Sequence, residues 1–386
     1  MTTGTTLLAI VPDRLSDIIR KGEFSARYYN PGSVFSEVHL LATNDDVVDA
    51  AALQYTVGTA RLVVHNIPFG QSRAERWLRW SRLALDRWAD KVVDLARRIR
   101  PSLVRCYGSD VNAYAALRIW RALRVPYVVS IHTARDESPE PRTASQRIAA
   151  LLWERLERRT LGAAARVMPV YRAVVPQLRR LGVERIDVAY NVLNPECLRQ
   201  KTNYALHHPV RILTIGRQLP YKRPDAIVRA IASLPSCQLT VIGDGPVHSE
   251  LRELARGLAL DDRILFRAAM PNDELCASLA DYDIFAGHSD YCEIPKAVLE
   301  PLLTGLPVVM NRRAGTPVPE FEDDIVVLVE NSSQAYREAL SRLIENDAVR
   351  EALGRRAYRH AQALWSPART ETHVAQTYRD VMAATE

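Results

Sequence analysis

Short apolar runs rich in β-branched residues alternate with helical stretches along the first half of the chain, and the runs have the length of buried strands. The strands predicted in this half are Thr6–Pro12, Glu37–Thr43, Arg61–Asn66, Ser102–Tyr107, Tyr127–His132, Arg166–Val170 and Arg185–Tyr190. A long helix is predicted between the third and the fourth, because apolar residues recur there at spacings of three, four and five along one helical face. These residues are Trp77, Trp80, Leu83, Trp88, Val92, Leu95 and Ile99.

The alternation relaxes around Asn191–Asn203, where Asn, Pro and polar residues indicate a linker, and then starts again. The strands predicted after it are Arg211–Ile215, Gln238–Ile242, Arg263–Phe266, Ile284–Ala286, Pro307–Asn311 and Ile325–Val329. Strands that alternate with helices predict βαβ units and a mostly parallel sheet in each half. We therefore expect an α/β protein with two Rossmann-like domains, residues 1–200 and residues 201–365. Because open α/β sheets bind ligands at the carboxyl ends of their strands, the domains are expected to face each other across a cleft.

Length and composition agree with this division. The 386 residues, 47% hydrophobic and 25% charged, suffice for two or three domains with large cores. No apolar run approaches the ~20 residues of a membrane span, and Met1–Ile10 lacks the features of a secretory signal, which predicts a cytoplasmic protein. The five scattered cysteines form no C-x-x-C pair, which argues against a disulfide framework or a zinc site.

The net charge of +6 fits an anionic substrate such as a nucleotide diphosphate, and equally an anionic membrane face or nucleic acid. Nucleic-acid binding is disfavoured, because no basic stripe is interleaved with aromatic residues at a recognised motif. Arg73–Arg100 contains nine basic residues, four acidic residues and three tryptophans. Such a helix can lie on the inner face of a membrane as a peripheral contact. A helix that packs its tryptophan stripe on the first sheet is favoured instead, since core packing requires such a stripe.

The most informative segment follows the first predicted strand of the second half. That strand ends at Gly216, a loop with three cations follows, and a helix starts near Pro224, which suits a first helical turn. A helix start presents free N–H groups and a partial positive charge. With Arg217 and Lys222 beside it, the segment predicts an anion site suited to a diphosphate. The alternative is that these residues are solvated loop charges.

The turn Gly243–Pro246, after the next strand, is a weaker signal. Its glycines permit a tight turn and a close approach to the backbone. His248 occupies the third glycine position of a dinucleotide fingerprint, so that motif is absent. A plain connection between strand and helix explains the turn equally well.

The third segment, residues 291–309, runs from a loop into a short helix that ends at Gly305 and then into a buried strand. Glu300 lies within the first two turns of that helix. Its carboxylate can accept both hydroxyls of a ribose, or it is an ordinary carboxylate favoured by the helix dipole. Pro301 is expected to shorten or kink the helix.

Together the three segments resemble family 4 of the retaining glycosyltransferases, which have the GT-B architecture. That pattern consists of a strand ending in Gly-Arg, a lysine five residues after the arginine, a Gly-Asp-Gly-Pro turn, and a Glu-x7-Glu segment running into Gly-x-Pro-Val. The matching positions are Gly216, Arg217, Lys222, Gly243–Pro246, Glu300 and Gly305–Val308. The resemblance is strong over residues 205–315 and weaker at Tyr127–His132, Asn191-Val192 and Trp365-Ser366. Because several motifs occur together, the diphosphate site is favoured over solvated charges.

The resemblance implies specific roles. The second domain would bind a nucleotide-sugar donor, the first would bind a glycan, lipid-linked or small glycoside acceptor, and a last helix over residues 366–386 would pack back on the first domain. Arg217 and Lys222 would hold the diphosphate, Glu300 the ribose, and His132 would approach the transferred sugar. The remaining donor-binding candidates are Gly243, Ile294, Pro295 and Lys296. Electrostatic stabilisation of the leaving phosphate implies that neither a metal nor a cofactor is required.

The sequence also departs from the family pattern. The first glutamate of Glu-x7-Glu falls at Cys292, and the adjacent Glu293 occupies what is usually a glycine. A shift of one residue lets Glu293 serve, or the sugar is held differently, or the site is impaired. The usual glycine pair after the first strand is missing too. In the long loop Val11–Gly32, which contains Lys21-Gly22-Glu23, Gly22 is the best candidate for close approach to substrate, and an ordinary loop glycine is the alternative.

Other readings of the sequence remain open. Asp281-Tyr282-Asp283 has the Asp-x-Asp pattern of a metal site, but its place between a helix and a strand favours a structural role. Cys292 motivates a weakened glycosyltransferase that acts as a binding or scaffold protein. Another GT-B enzyme, such as a nucleotide-sugar epimerase, is a further alternative.

Overall fold

The computed structural model of the protein describes residues 4–20, 22, 24–69, 82–133, 143–190, 196–322 and 324–385, without the side chains of 144–152. The described residues form two compact units. One holds the residues up to 190 together with 368–385, and the other holds residues 196–367. Several residues named above lie outside the described part: Lys21, Glu23, Trp77, Trp80, Asn191 and Val192.

Both units are built from parallel strands and helices. The strands are β1 (Thr6–Val11), β2 (Glu37–Ala42), β3 (Arg61–Asn66), β4 (Leu103–Tyr107), β5 (Tyr127–Ile131), β6 (Arg166–Pro169), β7 (Val210–Ile215), β8 (Cys237–Ile242), β9 (Ile264–Arg267), β10 (Ile284–Gly287), β11 (Val308–Asn311) and β12 (Val327–Val329). The described helices are α1 (Leu15–Arg20), α2 (Ala50–Leu53), α3 (Arg82–Ile99), α4 (Val111–Leu123), α5 (Ala144–Gly162), α6 (Val175–Arg180), α7 (Asp225–Ala232), α8 (His248–Gly257), α9 (Asn272–Ser278), α10 (Lys296–Thr304), α11 (Ser333–Glu345), α12 (Asp347–Trp365) and α13 (Pro367–Ala383). None of these helices is long and apolar enough to cross a membrane.

Each unit contains one six-stranded parallel sheet, which confirms the predicted α/β class. The sheet of the first unit has the order β3-β2-β1-β4-β5-β6, and that of the second has the order β12-β11-β10-β7-β8-β9. If the strands of each unit are numbered from the first strand of that unit, both sheets have the order 3-2-1-4-5-6, the second one read from its β9 edge. Each sheet therefore has a switch point beside its first strand, where consecutive connections leave in opposite directions and ligands bind in open α/β sheets.

One predicted strand, Arg185–Tyr190, is wrong. The backbone N–H groups of Asp187 and Ala189 bond to carbonyls of β6, but regular pairing is limited to a single bridge at Ile186. The Asp187 carboxylate instead accepts hydrogen bonds from Thr377 and His373 of α13, at 2.7 Å each. This segment is therefore tied to a helix rather than continued as a sheet edge.

The described part of the long helix, α3, packs on the first unit as predicted for a core helix. Trp88 is 5% exposed, and its indole N–H donates to the Ile67 carbonyl at 2.9 Å. Val92 and Leu95 are buried on the same face. Leu83, which was assigned to this apolar face, is instead 58% exposed, since it lies on the first turn before the helix meets the core.

The last helix, α13, contributes to the core of the first unit. Val374, Tyr378 and Val381 are buried there. At its start Glu371 accepts hydrogen bonds from the Arg27 guanidinium and from the Gly32 N–H. These contacts lower the pKa of Glu371, with the Arg27 hydrogen bond as the main cause.

Candidate functional site

The loop after β7 brings cations to the switch point of the second unit. A Cβ at Gly216 would meet no atom within 4 Å, so the space beside this turn is open. The next residue, Arg217, is exposed, and among the described residues no side chain or carbonyl contacts its guanidinium. The chain then turns with a hydrogen bond from Lys222 N–H to the Leu219 carbonyl and enters α7 after the buried Pro224.

The third cation of this loop, Arg223, is engaged with carboxylates. Its guanidinium contacts Asp225 at 2.9 Å and Glu250 at 3.0 Å. The hydrogen bond to Asp225 is the main cause that raises the pKa of Arg223. Arg223 therefore joins the starts of α7 and α8, whereas Arg217 has no such carboxylate partner among the described residues.

The turn after β8 packs against the loop after β7, residues 216–224, which we call the cationic loop. A Cβ at Gly243 would lie 2.0 Å from the Gly216 carbonyl oxygen, and one at Gly245 would lie 2.3 Å from the Gln218 carbonyl oxygen. The buried Gln218 side chain donates to the Gly243 carbonyl at 2.8 Å and contacts His248 at 2.8 Å. These glycines are thus required by close packing of one turn on the other, which fixes the backbone around Gly216.

The loop after β10 forms the other side of the switch point and is fixed to the first loop. The Asp290 N–H donates to the Tyr221 carbonyl at 2.9 Å. From the end of β11, the Asn311 side chain accepts from the Ser289 N–H at 2.9 Å, and Arg313 donates to the Asp290 carbonyl at 2.7 Å. Because three hydrogen bonds hold its start, this loop presents the following residues in a defined direction.

Side chains alternate along this loop between the interior and the cationic loop. Cys292 is 3% exposed and Ile294 is 1% exposed, and the Cys292 thiol lies 3.8 Å from the Thr316 carbonyl oxygen. Glu293, between them, points the other way and forms an ion pair with Lys222. The Lys222 ammonium also lies 4.9 Å from the centre of the Tyr291 ring, a cation–π distance. A carboxylate at position 292 would be buried and would need partners there, whereas the Glu293 carboxylate is partly exposed.

Glu300 lies one turn further along, in α10, and is 2% exposed. Its carboxylate accepts a hydrogen bond of 2.9 Å from the Asn272 side-chain amide at the start of α9. Burial raises the pKa of the neighbouring Cys276 thiol, and Glu300 raises it further. The helix continues for three residues beyond Pro301 and stops at the predicted Gly305, whose φ of 86° is left-handed.

The three remaining donor-binding candidates form the entry into α10. Ile294 is 1% exposed, Pro295 caps the helix with its carbonyl bonded to the Val298 N–H, and Lys296 is the first helical residue. Only Lys296 combines a charge with partial exposure among them. Ile294 and Pro295 fix the start of α10, and they thereby support Glu293 and Glu300.

The Asp281-Tyr282-Asp283 sequence is at the opposite edge of the sheet. It starts at the last residue of a single helical turn, Leu279–Asp281, and ends directly before the amino end of β10. Asp283 is 1% exposed and accepts hydrogen bonds from the Arg211 and His207 backbone N–H groups. Its carboxylate ties strand starts together, which agrees with the favoured structural role.

Two predicted residues lie in the first unit. His132 is exposed directly after β5, and its carbonyl accepts a hydrogen bond of 2.8 Å from the Tyr171 hydroxyl. Its ring lies 6.0 Å from that of Tyr107. Gly22 has a left-handed φ of 64°, and its N–H bonds back to the Ile19 carbonyl at the end of α1. The end of a helix is therefore a sufficient reason for this glycine.

Sequence reasoning did not find the residues that support the site. Asn272, Asn311 and Arg313 lie in separate segments and match no motif. Each is polar and lies at or after the end of a predicted strand, and this position at the carboxyl edge is the signal that could have revealed them. In the first unit Arg105 on β4, which donates to the Ser130 and Tyr378 hydroxyls, was missed as well, because a charged residue within an apolar strand gives no indication of its partners.

Two models of known protein families match this chain. A family model described as glycosyl transferases group 1 matches residues 200–360, and one described as glycosyltransferase family 4 matches residues 36–196. The chain belongs to the family 4 glycosyltransferases. The boundary between the two matches lies a few residues after the boundary between the two structural units of this glycosyltransferase.

Relatives of this glycosyltransferase include D-inositol 3-phosphate glycosyltransferase of Corynebacterium glutamicum, which is 30% identical over 196 residues. That match covers 48% of this chain and 46% of the relative, so it spans about half the length of that protein. Alpha-D-kanosaminyltransferase of Streptomyces kanamyceticus is 25% identical over 293 residues, covering 72% of this chain and 76% of the relative.

Solved structures similar to this glycosyltransferase show its architecture. Sucrose-phosphate synthase from Thermosynechococcus elongatus has a TM-score of 0.72 at 16% identity, covering 98% of this chain and all of the other. HepE of Anabaena in complex with UDP has a TM-score of 0.72 at 15% identity, covering 97% of this chain and all of the other. At these identities the likeness shows the fold, which is GT-B with two Rossmann-like domains.

Proposed function

We propose that this protein is a retaining glycosyltransferase that moves a sugar from a nucleotide-diphosphate sugar to an acceptor. The observation that carries the proposal is Arg217. Its guanidinium has no contact among the described residues and stands at the switch point, beside the open space at Gly216. A guanidinium binds phosphate oxygens through paired, charge-assisted hydrogen bonds.

In this proposal the donor diphosphate binds Arg217 and Lys222, and Glu300 binds the ribose. The backbone N–H groups near the start of α7 add a partial positive charge. Glu293 faces the donor sugar and accepts hydrogen bonds from its hydroxyls. These fixed charges stabilise the negative charge that develops on the leaving phosphate, so the proposed reaction needs neither a metal nor another cofactor.

The names of relatives narrow the first substrates to test. Two relatives are named for glycosyl transfer to an inositol phosphate and for transfer of kanosamine. One solved neighbour contains UDP, and another structure of that protein contains UDP-glucose. We therefore propose a hexose donor with UDP as the first base to test, and a sugar, cyclitol or lipid-linked acceptor. Such an acceptor fits a cytoplasmic enzyme, with or without peripheral contact at the inner membrane face.

A thermal-shift screen with UDP, GDP, ADP and their sugars tests donor binding. A ligand at about 100 times its dissociation constant adds about 2.7 kcal/mol of stability. Turnover is then measured with the selected donor and a panel of acceptors, and the anomeric configuration of the product is read by NMR. Retention requires that donor and product share one configuration, so inversion contradicts the proposed mechanism. Absence of binding by every nucleotide contradicts the proposed function.

Metal dependence is tested on the same reaction. Activity is expected to survive exhaustive EDTA treatment, since Arg217, Lys222 and the helix start neutralise the leaving group. Loss of turnover that magnesium or manganese restores contradicts this expectation.

Cys292 motivates one alternative, a protein that binds a nucleotide sugar without transferring it. It predicts donor binding with no product from any acceptor in the panel. An epimerase, the other alternative, converts the donor without acceptor, so product analysis on the donor alone separates it from a transferase.

A further inference from the structure

We propose that Glu293 and the donor diphosphate compete for Lys222, so that donor binding exchanges the partners of both side chains. In the free protein Lys222 is paired with Glu293. When the diphosphate binds, it takes Lys222, and the released Glu293 accepts hydrogen bonds from the donor sugar. This inference rests on the proposed function.

The first support is the contact itself. Lys222 and Glu293 lie 71 positions apart in the chain and form an ion pair. Their side chains are only 22% and 17% exposed. The Tyr291 ring, 4.9 Å from the ammonium, adds a second partner for Lys222. Pairs with this degree of burial are screened less by water than fully exposed ones, so separation of the charges costs more.

The second support is the rigidity of the loop that carries Glu293. Its neighbours Cys292 and Ile294 are buried, and the Asp290 N–H is bonded to the Tyr221 carbonyl of the cationic loop. The backbone therefore holds the Glu293 carboxylate near Lys222. Exchange has to occur by movement of the two side chains rather than by withdrawal of the loop.

The third support is the distribution of charge in the cationic loop. Arg223 is neutralised by Asp225 and Glu250, and Lys222 is neutralised by Glu293. Only Arg217 has no such contact among the described residues. Arg217 can bind a phosphate at once, whereas Lys222 contributes only after it leaves Glu293. A diphosphate that approaches Lys222 also brings like charge toward the Glu293 carboxylate.

For this reason Glu293 should affect the affinity for a bare nucleoside diphosphate and the affinity for a nucleotide sugar differently. The bare diphosphate takes Lys222 and leaves Glu293 without a partner. The nucleotide sugar supplies hydroxyls that replace the lost contact. Removal of the Glu293 charge should therefore improve binding of the bare diphosphate more than binding of the donor.

The experiment is a double-mutant cycle on Lys222 and Glu293 in which calorimetry measures ligand binding. The ligand is whichever of UDP, GDP and ADP gives the largest thermal shift, together with its sugar. Glu293→Gln is expected to tighten binding of the bare diphosphate about three- to tenfold. Lys222→Ala is expected to weaken binding at least about threefold more in the Glu293→Gln background than in the wild type, because only there is the lysine released.

Glu250→Gln is the matched control. It removes one carboxylate from the same neighbourhood, but from Arg223 rather than Lys222. Diphosphate affinity should change less than about twofold in this variant, because Arg223 keeps Asp225. An equal gain from Glu250→Gln indicates a general charge effect and overturns the competition. Glu293→Ala replaces Glu293→Gln in the cycle if thermal unfolding shows that the glutamine variant does not fold.

The outcomes separate this inference from the proposed function. If diphosphate binding depends on Arg217 but the Lys222 and Glu293 effects are additive, only the competition is overturned. The same holds if Glu293→Gln weakens binding of the bare diphosphate. If no nucleoside diphosphate binds and Arg217→Ala changes nothing, the proposed function fails and the inference fails with it.

Discussion

The two units share one strand order but carry different chemistry at their switch points. In the second unit the loops after β7 and β10 leave Arg217, Lys222 and Glu293 at least partly exposed to solvent. In the first unit a cation within β4, Arg105, is enclosed by other side chains. Its guanidinium bonds to the Ser130 hydroxyl at 3.0 Å and lies 4.8 Å from the Tyr107 ring centre.

Tyrosines complete the enclosure in the first unit. The Tyr28 and Tyr107 rings are stacked at 6.3 Å, and Tyr29 meets Tyr107 edge to face at 6.0 Å. The Tyr378 hydroxyl from α13 accepts a hydrogen bond from Arg105. The guanidinium is thereby committed to holding α13 against the sheet. The same backbone order can thus use a cation for assembly or for ligand binding, and the loops decide which.

The largest expected effect concerns Glu293. If the charged edge of the second unit carries the chemistry, Glu293→Gln reduces turnover by about 10²-fold, because a preorganised carboxylate at the sugar is lost. The measurement is steady-state turnover with the identified donor and acceptor. A variant with normal turnover contradicts the role of Glu293 and removes the functional contrast between the two edges.

Arg217→Ala should weaken nucleoside diphosphate binding about 10- to 100-fold, since charge-assisted hydrogen bonds to phosphate are worth about 1.5–3 kcal/mol. Affinity for the bare nucleoside should hardly change. Lys222→Ala should weaken diphosphate binding less, because the ion pair with Glu293 already offsets part of the lysine charge. Calorimetry with both ligands checks this, and an equal loss for the nucleoside points to misfolding instead.

Tyr378→Phe tests the enclosed cation of the first unit. Loss of the hydrogen bond to Arg105 should lower the free energy of unfolding by about 1.5–3 kcal/mol, because a buried charge loses an acceptor. Denaturant unfolding measures the change. Diphosphate affinity of the folded variant should equal that of the wild type, and a parallel loss of affinity means that the two edges are not independent.

Glu300→Gln should raise the Michaelis constant for the donor about three- to tenfold while turnover at saturation stays near that of the wild type. Ribose contacts stabilise ground and transition states alike, which produces this pattern. Unfolding of the free variant serves as the control, since Glu300 also accepts a hydrogen bond from Asn272. A fall in saturated turnover with an unchanged Michaelis constant contradicts a ribose role.

The smallest effect is expected for Cys292→Ser, which should keep activity within about twofold. The serine hydroxyl can donate to the Thr316 carbonyl that faces the thiol, and a thiol needs a nearby base to act as a nucleophile. His288, the nearest histidine in sequence, has its pKa lowered by burial and lies 3.4 Å from Asp290. An inactive serine variant beside a normal Glu293→Gln shows that the carboxylate has not moved to position 293.

Much of the fold could be predicted because a buried parallel strand must be apolar on both faces. All residues of β1 are buried, and its apolar run marks the strand in the sequence. Arg185–Tyr190 has a similar pattern, but its pairing depends on Asp187. The Asp187 carboxylate bonds to His373 and Thr377 of α13, which are far away in the sequence. No local pattern contains that information. The direction of Leu83 was missed for a related reason, since periodicity does not tell where a helix first meets the sheet.

The sequence by itself determined which segments form the candidate site. A cation loop after β7, a glycine turn after β8 and a carboxylate segment before α10 follow from strand ends and motif spacing, because the carboxyl ends of parallel strands share one edge. Only the tertiary structure decided what each charge does there. Arg217 and Arg223 are both arginines of the cationic loop. Glu250 pairs with Arg223, whereas no described side chain pairs with Arg217. Partners come from different elements of the chain, and the strength of a charge interaction depends on the distance and burial that folding alone creates.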